Sequence, residues 1–251
     1  MTEGRPGDSA DAPRDPDPRR DEADGGSHEG PARRGRKPGG RRQGDPAHTL
    51  QPLPAVPAPA GDPSMAEDAM IRLKKMHLAP YIQLATSLIG KRRRSGGNMF
   101  RHQIDTMAIL MDYGYIDSIL LKASVIHDLL EDLPDFDRDL LLEIDDEAPE
   151  VYKLVLEVTR RPVESKAEFL GRILEYGSAR SQVLKCADRI SNMISLGYVT
   201  DVEFVRRYTD ETEQAIFPMA DRADPRMAAE LRELVTTRRE ILALHPGSGS
   251  K

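Results

Sequence analysis

An all-α fold is predicted for the residues from Met65 onward, behind an N-terminal tail that builds no core. Three observations lead there. Apolar residues recur at helical spacing in one segment after another. No segment alternates apolar and polar residues long enough to make a strand. Proline and glycine crowd the front of the chain: residues 1–64 hold 12 of the 19 prolines and 10 of the 19 glycines, with no Phe, Trp or Tyr. Such a stretch buries too little apolar surface to offset the entropy of ordering it, so it is expected to be disordered. The remainder, 65–251, is long enough for a single hydrophobic core.

Within the tail, residues 31–44 (PARRGRKPGGRRQG) carry six basic side chains and no acidic one, and 52–63 (PLPAVPAPAGDP) reads as an extended spacer. Ser64 followed by Glu67 resembles a capping box. Met65, Ala69, Leu73 and Met76 then fall near one helical face. Pro80 opens a second helix, with Ile82, Leu84, Ala85, Leu88 and Ile89 as its apolar residues. The paired glycines of 91–98 (KRRRSGGN) demand a loop. Helices follow at about 100–113, 116–131, 138–145, 149–159, 165–177, 179–197, 201–222 and 226–243. Gly114, Pro134, Arg161 with Pro162, Gly177, and Asp224 with Pro225 separate them. A helical bundle with short connections follows.

The net charge of −6 is spread over both parts: the tail has 10 basic and 11 acidic residues, the rest 26 and 31. Neither part is basic enough for a dedicated nucleic-acid binder. The 31–44 run reads as a solvated charge cluster, or alternatively as a contact for nucleic acid or another anionic partner. One cysteine, Cys186, excludes an internal disulfide and a multi-thiolate zinc site. No apolar run approaches the roughly 18 residues of a membrane span, and no signal sequence opens the chain, so a cytoplasmic protein is expected. Oligomeric state is not legible.

Three helices carry polar side chains that an apolar stripe does not need. One begins Arg101-His102. The second ends VIHDLLED, with His127, Asp128, Glu131 and Asp132. The third reads KCADRISNM, with Asp188, Arg189 and Asn192. In the second, Ile119, Leu120, Ala123, Val125, Ile126, Leu129 and Leu130 are apolar almost all round, which predicts burial. An ionised carboxylate there needs a cation or strong hydrogen bonds. Three carboxylates within two turns repel unless something positive lies among them, and a divalent metal resolves the conflict. His102, His127, Asp128 and Asp188 form a mixed nitrogen–oxygen set that suits manganese, iron or zinc better than calcium. Open positions on such an ion would take water and a phosphate oxygen.

This order, H…HD…D on three helices, resembles the HD superfamily of metal-dependent phosphohydrolases. The flanking words are similar to the alarmone hydrolases of the RelA/SpoT group: RRRSGGNMFRH, VIHDLLED, KCADRISNMISL and RRYTDETEQAIFPMADR. The similarity spans roughly 66–222 and leaves nothing like that family's synthetase or regulatory domains. The resemblance implies an HD-domain helical bundle with His102, His127, Asp128 and Asp188 as ligands of an ion, usually Mn2+. It implies that Glu131 and Asp132 position and activate the attacking water. It further implies that Arg93, Arg94 and Ser95 hold the guanine base, and that Asn192, Ser195 and, less closely in spacing, Arg207 contact sugar and phosphate. The implied activity is guanosine-3′,5′-bis(diphosphate) 3′-pyrophosphohydrolase: ppGpp or pppGpp to GDP or GTP plus pyrophosphate.

The sequence departs from that family at four places. Gly97 stands for an acidic residue, Gln103 for the proline after the first histidine, Leu133 for Thr or Asn, and Ser191 for His. Blander readings stand beside the sharp ones. A single histidine is more often a hydrogen-bonded core residue, Glu131-Asp132 could be a polar helix end, and the 91–94 run could be a solvated turn. Asp188-Arg189 could be a structural ion pair. Cys186, on another face from Asp188, reads as a small buried side chain. Two rival functions remain: an HD phosphohydrolase acting on another nucleotide, and a non-catalytic nucleotide-binding adaptor whose basic tail holds a partner.

Overall fold

The computed structural model describes residues 63–244, with side chains from Glu67 onward. The 31–44 basic run, and all of the 1–64 tail except its last two residues, lie outside them. Helix α1 spans Pro63–Lys75. Ser64 therefore sits inside the first turn rather than at the cap, and Pro63, whose missing N–H costs nothing at a helix start, opens the helix.

Helix α2 (Ala79–Ala85) has Pro80 in its first turn and tightens into a 3-10 turn at Thr86–Leu88. The loop after it is closed by an isolated bridge between Arg92 and Asn98. Gly96 (φ +88°) and Gly97 (φ +74°) take the left-handed conformations that a side chain would resist. Helix α3 (Met99–Asp112) starts at Asn98, whose side chain accepts from Arg101 N at 2.9 Å. Helix α4 (Ser118–Ser124) is capped by Asp117, which accepts from Leu120 N at 2.8 Å.

The predicted helix at 116–131 is interrupted. After α4 the chain turns through 125–128 and resumes as a single-turn helix, α5 (Leu129–Asp132). In the turn the ladder tightens to three-residue bonds, Ile126 N to Ala123 O (3.1 Å) and Leu129 N to Ile126 O (2.9 Å). Side chains supply the physical cause. His127 Nδ1 takes the carbonyl of Ser124 (2.7 Å), and the Asp128 N–H is directed to Gln103 Oε1 (3.4 Å). His127 and Asp128 thus sit at a helix break, with the three-residue bonding that often marks a functional hinge.

Helices α6 (Asp139–Leu142) and α7 (Ala148–Val158) follow. Helix α8 (Lys166–Tyr176) begins with a reciprocal capping box between Ser165 and Glu168. Gly177 makes the corner into α9 (Ala179–Ser195), and a Cβ there would meet Ile173 O at 2.5 Å and Ser181 Oγ at 2.6 Å. The long segment predicted at 201–222 is α10 (Val202–Glu211), a π turn at Thr212–Ile216 and α11 (Phe217–Ala223). The widened turn precedes Pro218, which has no N–H to offer the ladder. Helix α12 (Pro225–Leu244) completes the described chain, in which there is no strand.

Helix α9 is the axis of the bundle, touching α3, α7, α11 and α12. Val183, Leu184, Cys186, Ala187, Ile190 and Met193 are buried along it. Burial pushes the Cys186 thiol up to about 12, as expected of an inert core cysteine. No helix among the described residues is long and apolar enough to cross a membrane.

Candidate metal centre

Three places on the chain meet beside α9. His102 comes from the second turn of α3, His127 and Asp128 from the break between α4 and α5, and Asp188 from the middle of α9. All four are at most 5% exposed. His102 Nε2 lies 3.0 Å from Asp188 Oδ1 and 3.6 Å from Asp128 Oδ2. His127 Nε2 lies 3.4 Å from Asp128 Oδ2 and 3.8 Å from Asp188 Oδ1. The imidazoles meet edge to face, with centroids 5.2 Å apart. The donor atoms of His102, His127 and Asp188 all lie within 4.8 Å of one another.

The outer contacts set which atoms face inward. A backbone carbonyl only accepts, so the proton of neutral His127 is on Nδ1, bonded to Ser124 O, and Nε2 presents its lone pair to the centre. That Nε2 is buried and has no hydrogen-bond partner. His102 Nδ1 is 2.9 Å from Ser191 Oγ, leaving its Nε2 inward as well. Asp188 Oδ2 accepts from Lys185 Nζ at 2.6 Å, and Oδ1 accepts from Asn192 Nδ2 at 2.6 Å. Gln103 Nε2 donates to Asp128 Oδ2 at 3.1 Å.

The electrostatics are those of a closed, negatively biased cage. Burial opposes charge on Asp188, but Lys185 and the two histidines outweigh it and hold the carboxyl well below the usual range. Burial also opposes charge on His127, yet Asp128 and Asp188 prevail and raise its pKa. For His102 burial wins, aided by the nearby Arg93 guanidinium, and its pKa is lowered. Two buried imidazole nitrogens and the Asp188 carboxylate within 4.8 Å of one another, with Asp128 Oδ2 beside both nitrogens and one nitrogen lacking a hydrogen-bond donor or acceptor, fit a divalent transition ion.

The other sequence-predicted residues divide. Glu131 and Asp132 are half-buried on α5, one turn beyond Asp128, and Glu131 Oε1 accepts from Arg160 N at 2.7 Å. Arg93 reaches across to α9, bonding Asn192 Oδ1 at 2.7 Å and Ser195 Oγ at 3.3 Å, so these three are brought together. Arg94 turns elsewhere: it pairs with Asp201 and lies 4.4 Å over the Phe204 ring. Ser95 is half-buried in the loop. Arg207 is exposed on α10, where its charge acts on Asp201. Arg189 does not pair with Asp188. It bonds Glu211 at 2.6 Å and Thr212 at 3.1 Å and stacks 4.2 Å from the Tyr208 ring centre.

Sequence reasoning overlooked Lys185, and it took Gln103 and Ser191 only as departures from a family pattern. Lys185 was legible, since a lysine three residues before Asp188 shares its face.

No protein-family model matches the chain, and no curated protein matches it. Among solved structures it is similar to one described as "A metazoan ortholog of SpoT hydrolyzes ppGpp and plays a role in starvation responses". The match has a TM-score of 0.50 at 21% identity and covers 72% of this chain and 98% of that one. The likeness establishes a shared fold. It spans nearly the whole of that chain.

Proposed function

We propose that this chain is a manganese-dependent phosphohydrolase that removes the 3′-pyrophosphate of ppGpp or pppGpp, giving GDP or GTP and pyrophosphate. One observation carries the reading: the inward donor atoms of His102, His127 and Asp188, drawn from three parts of the chain, lie within 4.8 Å of one another in a buried site, with Asp128 Oδ2 beside both histidine nitrogens. The fold shared with a ppGpp-hydrolysing protein supports the choice of substrate.

In this reading those four side chains hold the ion, which when bound supplies Lewis-acid activation of a phosphoryl oxygen and of water. Ser124 O keeps His127 in the tautomer that leaves its Nε2 unprotonated, and Ser191 Oγ orients the His102 ring with Nε2 inward. Glu131 or Asp132 orients the water and takes its proton as its oxygen bonds to phosphorus. The bond from phosphorus to the ribose 3′-oxygen breaks, and that oxygen takes up a proton and leaves as the 3′-hydroxyl of GDP or GTP. Arg93 anchors the nucleotide, presenting a flat cation to base or phosphate. Asn192 and Ser195, which it already touches, contact sugar and phosphate.

Purified full-length protein incubated with Mn2+ and ppGpp should release pyrophosphate and GDP, and Asp128→Ala should not. Turnover of a different nucleotide alone would move the assignment to another HD phosphohydrolase. Tight binding of ppGpp without cleavage would make the chain an adaptor.

A further inference from the structure

Gln103 follows His102 on α3 and is fully buried. It holds Asp128 at two points, accepting from the Asp128 N–H at Oε1 (3.4 Å) and donating from Nε2 to Asp128 Oδ2 (3.1 Å). The orientation of the amide is dictated by chemistry, because a backbone N–H only donates and so must face Oε1. The NH2 end is thereby committed to the carboxylate. Oδ2 is the oxygen that stands 3.6 Å from His102 Nε2 and 3.4 Å from His127 Nε2.

We propose that Gln103 is a positioning residue for the metal centre, fixing Asp128 Oδ2 toward the ion and so setting how tightly the ion is held. The proposal rests on the metal reading above. It concerns a residue that stands where the family this sequence resembles usually has proline.

Two features make Gln103 suited to the task. It secures the helix break as well as the carboxylate: the Asp128 N–H that the interrupted ladder turns aside is received by the same side chain. It is also neutral. Asp188 accepts from the Lys185 ammonium, whereas the contact of Asp128 with Gln103 is to an uncharged amide.

The test compares Mn2+ binding by wild-type and Gln103→Met full-length protein, with free Mn2+ read by electron paramagnetic resonance. Methionine has nearly the shape of glutamine but forms neither hydrogen bond. Loss of such an outer contact typically weakens a metal about 10–100-fold, so the Kd for Mn2+ should rise by that factor with one ion still bound. Saturating Mn2+ should then return kcat for ppGpp to the wild-type value, which a general loss of structure would not allow. Gln103→Leu serves as the same test if methionine disturbs the fold. An unchanged Kd in the variant overturns the positioning role while leaving the enzyme reading intact. A wild-type chain that binds no Mn2+ overturns the metal reading and this proposal together.

Discussion

Asp128→Asn separates a metal centre from a merely polar core. Asp128 Oδ2 is within 3.6 Å of both inward histidine nitrogens, so asparagine removes a charged donor from the middle of the site while preserving its shape and its contact with Gln103. Outer contacts are worth about 10–100-fold in metal affinity, so a direct donor is expected to be worth at least about 100-fold. At a Mn2+ concentration about 100 times the wild-type Kd, binding stabilises the wild type by about 2.7 kcal/mol. The variant, with its Kd raised about 100-fold, gains only about 0.4 kcal/mol under the same conditions. For a domain of this size each kcal/mol moves the melting temperature by about 2–4 °C. Mn2+ should therefore raise the wild-type Tm by about 5–11 °C and that of Asp128→Asn by about 1–2 °C. Paired thermal melts with and without Mn2+ read the difference directly. Equal Mn2+ shifts in the two proteins would refute the assignment of Asp128 to the ion.

Three further outcomes are expected. Glu131→Gln and Asp132→Asn should each retain Mn2+ binding, and the one that removes the general base should lower kcat for ppGpp by about 10²–10⁴-fold in steady-state assays. Gly177→Ala forces a Cβ against Ile173 O and Ser181 Oγ, and the overlap should cost about 1–3 kcal/mol, visible as a lower Tm with unchanged Mn2+ affinity at low temperature. Asp224 governs an acid transition. Burial opposes its charge, but Arg226, the Arg226 N–H and Tyr115 prevail and lower its pKa. A carboxyl with a depressed folded pKa contributes stability that is fully present above its unfolded value, about 3.9, and is lost as pH falls through the folded pKa. Asp224→Asn should flatten the fall of Tm below about pH 4 and change little of that slope at neutral pH; an unaltered acid limb would show that Asp224 does not contribute.

The existence and order of the helices were legible because the 3.6-residue apolar repeat, the glycines and the prolines are local signals. Gly114 and Gly177 end helices where expected, and Asp224-Pro225 separates α11 from α12. The candidate site was also legible in outline. Charged side chains inside the apolar run around His127 and Asp128 conflict with burial unless something pairs with them, and that conflict needs no coordinates to see. The break at 125–128 was not legible, because periodicity through Ile119–Leu130 reads as one helix. Its cause lies in contacts with Ser124 O and with Gln103, 25 residues away.

By itself, then, the sequence determined an α-helical domain and the set of imidazoles and carboxylates that it buries, since both follow from the spacing of apolar and ionisable residues along one strand of chain. Which atoms turn inward was decided only by tertiary packing. Ser191 reaches His102 from another helix, Gln103 aims Asp128 from α3, and Arg93 meets α9 while its neighbour Arg94 is drawn off to Asp201 and Phe204. Hydrogen-bond direction is a property of pairs, and the hydrogen-bonded partners among these lie between 25 and 107 residues apart, beyond the reach of any local pattern.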